Sequence, residues 1–447
     1  MAQDNDRDAI FVKSIYDHIL TKGSCYDWLH TLTKDIGPRF SGTEGAAIAV
    51  EYTDSLFASL GADKVFRQAM QVPNWKRGEA EFAKVILENG EEIELNTVAL
   101  GGSVSTGPDG LESEVVEVFS LDTLELLGPE VLEDKIVFFN RPMDPTFIRT
   151  FYAYGSAVDQ RVFGASRAAK QGAKAALVRS MTTLHDDVPH TGTMYYEPDI
   201  PKKIPSFAIS TNDANMLSSI LSENNPKVFM KNNSVWMDSV ESYNVVAEIK
   251  GSEFPDEIIL VGGHLDSWDL GEGAHDDGSG CMQSIQVMET LKALNYQPKR
   301  TIRIVMFMNE EFGLSGGRAY AKASNENNEF HLAAIESDAG GFSPRGFSCE
   351  ASDSVFTNLY RGLNKFLPVL ERYDLYLKIG GSGADIGPLK SQNGLLIGLR
   401  PDSQRYFDFH HTRNDVFEAV NERELKLGAA AMTALVYLID QHGLEGE

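Results

Sequence analysis

The sequence predicts an α/β fold built on a mainly parallel sheet with helices on both faces. Three observations carry that expectation. Short runs rich in Val, Ile and Leu (Ile258–Gly262, Ile302–Met308, Leu332–Ile335 and Leu395–Leu399) alternate with stretches of helical periodicity, as in parallel sheets buried on both sides. A long final helix is expected from Asn421 to about Ile439, with Asn421 as N-cap and Glu422 and Glu424 suited to its positive end. Histidines and acids gather at or just beyond the ends of the apolar runs, where open parallel sheets place their chemistry.

The elements follow in order. Residues 10–60 read as helices, interrupted by GPRFSG at 37–42, with a second helix over Ala46–Leu60. Strand-like segments follow at Ala80–Leu87 and Glu92–Leu100, and the Gly, Ser and Pro of Gly101–Gly110 suggest a linker. Beyond it, Glu114–Phe119, Lys135–Phe139 and Ala175–Val178 alternate with a helix over Ser156–Gln171. A strand near Pro205–Ile209 and a helix over Asn212–Ser222 complete a block, residues 111–240, that holds none of the acids and histidines singled out below. It reads as a domain inserted between two parts, 1–110 and 241–447, of a larger one.

Whole-chain properties set bounds. At 447 residues the chain is long enough for two domains. A formal charge of −25, from 40 basic and 65 acidic residues, argues against nucleic acid and against anchoring to acidic lipid. Cys25, Cys281 and Cys349 form neither a CxxC pair nor a disulfide framework. No apolar run approaches the ~20 residues of a membrane span. The polar start MAQDNDRDAI is neither a signal peptide nor a targeting helix; prior removal of a signal is equally compatible with it.

Five residues in fixed order are candidate metal ligands: His264, Asp276, Glu311, Asp338 and His411. His264 follows an apolar run, and Asp266, two residues on, can accept the N–H of the ring nitrogen that does not bind metal. GAHDDGSG at 273–280 sets Asp276 and Asp277 in a glycine-rich turn before a helix, where acids also serve as caps. In MNEEFG, Glu310 and Glu311 face different ways, so one can bind metal while the other moves a proton. Asp338 ends AAIESDAGG, where it can equally accept backbone N–H groups, and His411 closes the set in FHHTRND, with Asp415 as a possible partner. The count suits two ions, one on His264 and Glu311, the other on Asp338 and His411, with Asp276 bridging. Nitrogen and oxygen donors without thiolates favour Zn2+, with Co2+ or Mn2+ as substitutes.

These segments, together with GPRFSG, VPNWKRGE (72–79), PHTGTMYY (189–196) and KIPSFAIS (203–210), resemble the M28 metallopeptidase family, in its plasma glutamate carboxypeptidase branch. The resemblance implies a three-layer αβα zinc-exopeptidase (phosphorylase/hydrolase-like) catalytic domain, formed by 1–110 and 241–447, with a protease-associated-like insert over 111–240. It implies a dizinc exopeptidase or dipeptidase with the ligand set above, Glu310 as general base and acid, and Asp266 supporting His264. His410 would donate to the developing oxyanion; a packing role is its alternative. Relatives are secreted, lysosomal or periplasmic and often homodimeric. The resemblance therefore implies a homodimer acting on short peptides outside the cytoplasm, its signal peptide absent from this chain; a cytoplasmic setting stays open. The chain departs from the family at Asn309, Ala384 and Val416, none of them a ligand. Two alternatives remain: a glutaminyl-cyclase-type zinc acyltransferase, and a catalytically silent peptide-binding relative.

Overall fold

The computed structural model describes residues 2–79 and 81–445. Ala80, the first residue of the strand expected over Ala80–Leu87, and Met1 lie outside them; Phe82–Ile86 is strand. The chain forms two compact units: Met1–Val72, Ser239–Ser403 and Asp415–Glu447 make the first, and Pro73–Asp238 with Gln404–Asn414 the second.

An eight-stranded sheet organises the first unit. Its strands run in the order Lys64–Lys76, Val235–Ile249, Arg300–Phe307, Phe254–His264, Phe330–Glu336, Leu395–Pro401, Pro344–Glu350 and Tyr376–Ile379. The centre is parallel, from Arg300–Phe307 through Phe254–His264 and Phe330–Glu336 to Leu395–Pro401. Val235–Ile249 pairs antiparallel with Arg300–Phe307 and Pro344–Glu350 with Leu395–Pro401, while Tyr376–Ile379 runs parallel to Pro344–Glu350, so the sheet is mainly parallel as expected, with two antiparallel pairings beside its centre.

Side chains alternate across this sheet with the two-residue period of a strand. Val245, Ile259, Val261, Ile302, Ile304, Ile335 and Ile397 enter one core, and Val246, Leu260, Val305, Phe307, Ala334 and Leu396 enter another. The first core is covered by the helices Ala2–Lys22, Ser279–Ala293 and Glu422–His442; the second by Ser315–Glu326 and the short turn Gly387–Gln392. That is the αβα layering expected.

The final helix is capped as expected, Asn421 accepting from the Glu424 N–H at 3.1 Å. Small residues, Ala429 to Ala431 and Ala434, let it lie close on Ser279–Ala293. At Gly428 an added Cβ would come within 2.1 Å of the Gln283 amide.

The second unit has its own eight-stranded sheet, with Leu111–Val118, Ile136–Phe139, Ala175–Arg179 and Ser206–Ile209 parallel at its centre. The division differs from the expected 1–110, 111–240 and 241–447. Phe82–Ile86 pairs with Lys227–Lys231, and Thr97–Ala99 with Ser206–Ile209, so the second sheet takes its strands from Phe82 onward and the second unit begins at Pro73. The expected linker is not one: the Ser103 hydroxyl accepts from Ser206 N–H, its carbonyl accepts from the Trp75 indole, and it is fully buried. Among the described residues no helix is long and apolar enough to cross a membrane.

Candidate metal centre

Adjacent parallel strands bring three ligand-bearing segments of the first unit to one level. His264 ends its strand opposite Phe307, and Gly262 lies opposite Glu336. Glu310 and Glu311 therefore emerge beside His264 on one side, and Asp338 on the other.

His264 Nε2 lies 3.3 Å from Asp276 Oδ1 and 3.7 Å from Asp338 Oδ1. One ligand atom from each of the three lies within 4.8 Å of the others, which fits a divalent cation held by one imidazole nitrogen and two carboxylate oxygens. The ring is oriented through its other nitrogen, with Nδ1 3.0 Å from the Asp266 carbonyl oxygen. Burial alone would lower the His264 pKa, but hydrogen bonds to Asp276 and Asp338 raise it well above the usual value.

This arrangement corrects the expected partner of His264. The Asp266 carboxylate is 3.8 Å from Nδ1, and its Oδ1 instead accepts the backbone N–H groups of Asn309 (2.6 Å) and Glu310 (3.1 Å). Asp266 thus fixes the turn that presents the two glutamates, while its own backbone carbonyl orients the imidazole. Asn309 sits at φ +72°, a left-handed position that asparagine tolerates better than most residues, and its amide donates to Ser41. Its departure from the family pattern is therefore a local packing device.

The two adjacent acids at 276–277 have different fates. Asp277 is wholly buried and accepts the backbone N–H of His264 and of Gly280, each at 3.0 Å. Gly263 makes room for it, since a Cβ there would stand 2.4 Å from Asp277 Oδ2. Asp276 turns to His264, its own N–H donating to Asp415 Oδ2 (3.1 Å) while His275 N–H donates to Asp415 Oδ1 (2.7 Å). Asp415, a possible partner for His411, thus braces the Asp276 turn.

Glu310 is pushed up to about 8, first by burial and then by the charges of Asp338, Asp266 and Asp276, with His264 opposing. Glu311 is raised well above the carboxylate range by burial and by Asp276. A carboxylate whose proton affinity is raised toward neutrality suits a group that takes up a proton and then returns it.

His410 and His411 belong to the second unit. Their rings stack with centroids 3.5 Å apart, His190 Nδ1 donates to the His410 carbonyl (2.8 Å), and Thr191 N–H donates to the His411 carbonyl (3.0 Å). Burial, then the charges of His410, Arg161 and His190, pushes His411 well below its usual pKa, which keeps the imidazole neutral as ligation requires. Gly192 leaves space here, since a Cβ would lie 2.8 Å from His411 Nδ1. The segment PHTGTMYY carries no chemistry legible from its own residues, yet its His190, Thr191 and Gly192 hold the His410–His411 turn.

Comparison with known proteins agrees with this geometry. Residues 244–436 match the family described as peptidase family M28. Carboxypeptidase Q of Bos taurus is 34% identical over 416 residues, covering 93% of this chain and 84% of that protein. Carboxypeptidase Q of Xenopus laevis is 34% identical over 433 residues, covering 96% and 88%. The crystal structure of a peptidase M28 precursor from Shewanella amazonensis superposes with a TM-score of 0.91 at 32% identity, covering 98% of this chain and 97% of that one. A zinc aminopeptidase from Bacillus subtilis, at 19% identity and a TM-score of 0.65 over 95% of both chains, shares the fold. With this similarity along nearly its whole length, and with histidine and aspartate donors suited to a binuclear zinc centre, the chain belongs to peptidase family M28, among the relatives of carboxypeptidase Q, and is a metallopeptidase acting on peptides.

Proposed function

We propose that this metallopeptidase is an exopeptidase of dipeptides and short peptides, with Glu310 as its proton carrier and His264, Asp276, Glu311, Asp338 and His411 as its metal ligands. The observation that carries the reading is the convergence of His264, Asp276 and Asp338, with Glu310 fixed beside them through Asp266. When bound, two zinc ions supply Lewis acidity, which acidifies water and polarises a carbonyl.

The chain's own residues do the rest. Glu310 takes a proton from the attacking water at a carboxylate oxygen, as the water oxygen bonds to the scissile carbonyl carbon. It returns that proton to the amine nitrogen when the C–N bond breaks. Burial and neighbouring acids raise its proton affinity, which bound cations would oppose, so that both transfers can approach balance. His410 is the donor assigned to the oxyanion. The relatives named carboxypeptidase Q favour a substrate with a free carboxyl terminus.

Glu310→Gln should keep its zinc and lose about 10²–10⁴-fold in turnover. Product masses from free and end-blocked peptides, with zinc supplied, test the rest. Full turnover by the zinc-replete variant would remove Glu310 from its role. Internal cleavage of doubly blocked peptides would overturn the exopeptidase reading.

A further inference from the structure

Arg39, in the GPRFSG turn, has no exposed surface. Its guanidinium forms no ion pair among the described residues; every hydrogen bond it donates goes to a backbone carbonyl. Nε donates to Leu265 (2.8 Å), Nη1 to Glu272 (2.7 Å) and Gly37 (3.1 Å), and Nη2 to Gly273 (2.9 Å). Its backbone N–H donates to the Ser267 hydroxyl (3.1 Å), and Ser267 N–H returns a bond to the Arg39 carbonyl (3.3 Å).

The two loops joined by this fork carry two of the proposed metal ligands, His264 and Asp276. Leu265 directly follows His264, and Gly273 precedes Asp276 by three residues. Gly273 adopts φ +59°, and a Cβ there would stand 2.8 Å from Arg39 Nη2, so the close approach depends on glycine. Asp415, Asp266 and Asp277 lie within electrostatic reach of the guanidinium. Each braces a ligand-bearing segment through backbone N–H groups: Asp415 at His275 and Asp276, Asp266 at Asn309 and Glu310, Asp277 at His264 and Gly280. One buried cation thus stands among three buried acids that hold the site's turns.

We infer that Arg39 is a positioning residue that sets the separation of the His264 and Asp276 loops and thereby the affinity for zinc. The inference rests on the two-zinc reading above. A lysine cannot reproduce the role, because a single ammonium lacks the planar fork that reaches both loops at once.

The test compares wild type, Arg39→Lys and the milder Ser267→Ala. Zinc affinity is measured by competition with a chromogenic chelator, and thermal unfolding is followed for each protein with and without zinc. Arg39→Lys should lose roughly 10–100-fold in zinc affinity, the scale seen when groups behind metal ligands are changed. Its metal-free Tm should fall because buried carbonyls lose their donors, its zinc-induced rise in Tm should shrink as well, and kcat should fall more than KM rises at saturating zinc. Ser267→Ala should lose affinity in the same direction by less. Wild-type zinc affinity in either variant, with metal-free and zinc-bound Tm lowered equally, would make Arg39 a fold-stabilising residue only and overturn the inference. Should Arg39→Lys not fold, Ser267→Ala alone decides. Absence of zinc binding by the wild type would instead sink the two-zinc reading.

Discussion

The two sheets resemble each other in construction and differ in what leaves their strand ends. Both have eight strands with a parallel centre. In the second, Asn140 follows Ile136–Phe139 and Arg179 ends Ala175–Arg179, and these polar groups bond to one another: Arg179 donates through Nη1 to Asn140 and Asn215, and Asn140 donates to Glu117. In the first, the ends carry His264, Glu310, Glu311 and Asp338; burial and the neighbouring acids raise the proton affinity of Glu310 and Glu311, while His264 holds Asp338 below its usual value. Equivalent places in similar sheets thus hold a settled network in one case and concentrated charge in the other. The fold supplies the location; the residues at it supply the chemistry.

Paired substitutions at the strand ends should give the largest contrast. Asp277→Ala leaves two buried backbone N–H groups without an acceptor and should cost about 3 kcal/mol, since each such loss costs ~1–3 kcal/mol. It should also weaken zinc binding by loosening His264. Asn140→Ala should cost about 1 kcal/mol and leave zinc affinity unchanged. Urea unfolding and zinc titration of both variants would show it, and equal effects on zinc would erase the distinction.

Acid should sharpen the comparison next. Buried His331, at the start of Phe330–Glu336, is pushed down to about 4 by burial. It is held neutral between the Tyr320 hydroxyl (2.7 Å) and the Gln392 amide oxygen (2.8 Å). Its folded pKa lies below the unfolded value of about 6.5, so the unfolded state binds the proton first. The contribution is complete above about pH 6.5 and is lost as pH falls toward 4, up to ~3 kcal/mol at 1.36 kcal/mol per unit. His331→Leu should unfold more easily at pH 7 yet show a flatter loss of stability between pH 6.5 and 4. An unchanged slope would show that His331 is not the titrating group. The smallest effect is expected from Asn421→Ala, which removes the cap of the final helix and should lower stability by about 1 kcal/mol without changing turnover.

Much of this was legible in the sequence. Continuous runs of Val, Ile and Leu marked the central strands, and the capped final helix begins one residue after its predicted cap. The ligand candidates stood out because their residue types are uncommon at strand exits unless something binds there. What escaped was set by contacts distant in sequence. Arg39 bonds to carbonyls some 230 residues away, and a carbonyl has no residue identity for a pattern to detect. Asp266 was read as the partner of its near neighbour His264, but its carboxylate is engaged by backbone N–H groups more than 40 residues on. The start of the second unit at Pro73 was hidden for the same reason, because short strands such as Thr97–Ala99 are defined by their pairing rather than by their own periodicity.

The register of His264 against Phe307, and of Gly262 against Glu336, restricts how such a protein can change length. Inserting one amino acid within Phe254–His264 would swing the imidazole to the sheet's opposite face, and inserting two would carry it ~6.6 Å farther along. Neither offers a partly working intermediate. Lineages of this architecture should therefore gain and lose residues in their surface connections, while the distance from each strand's start to its donor stays counted to the residue.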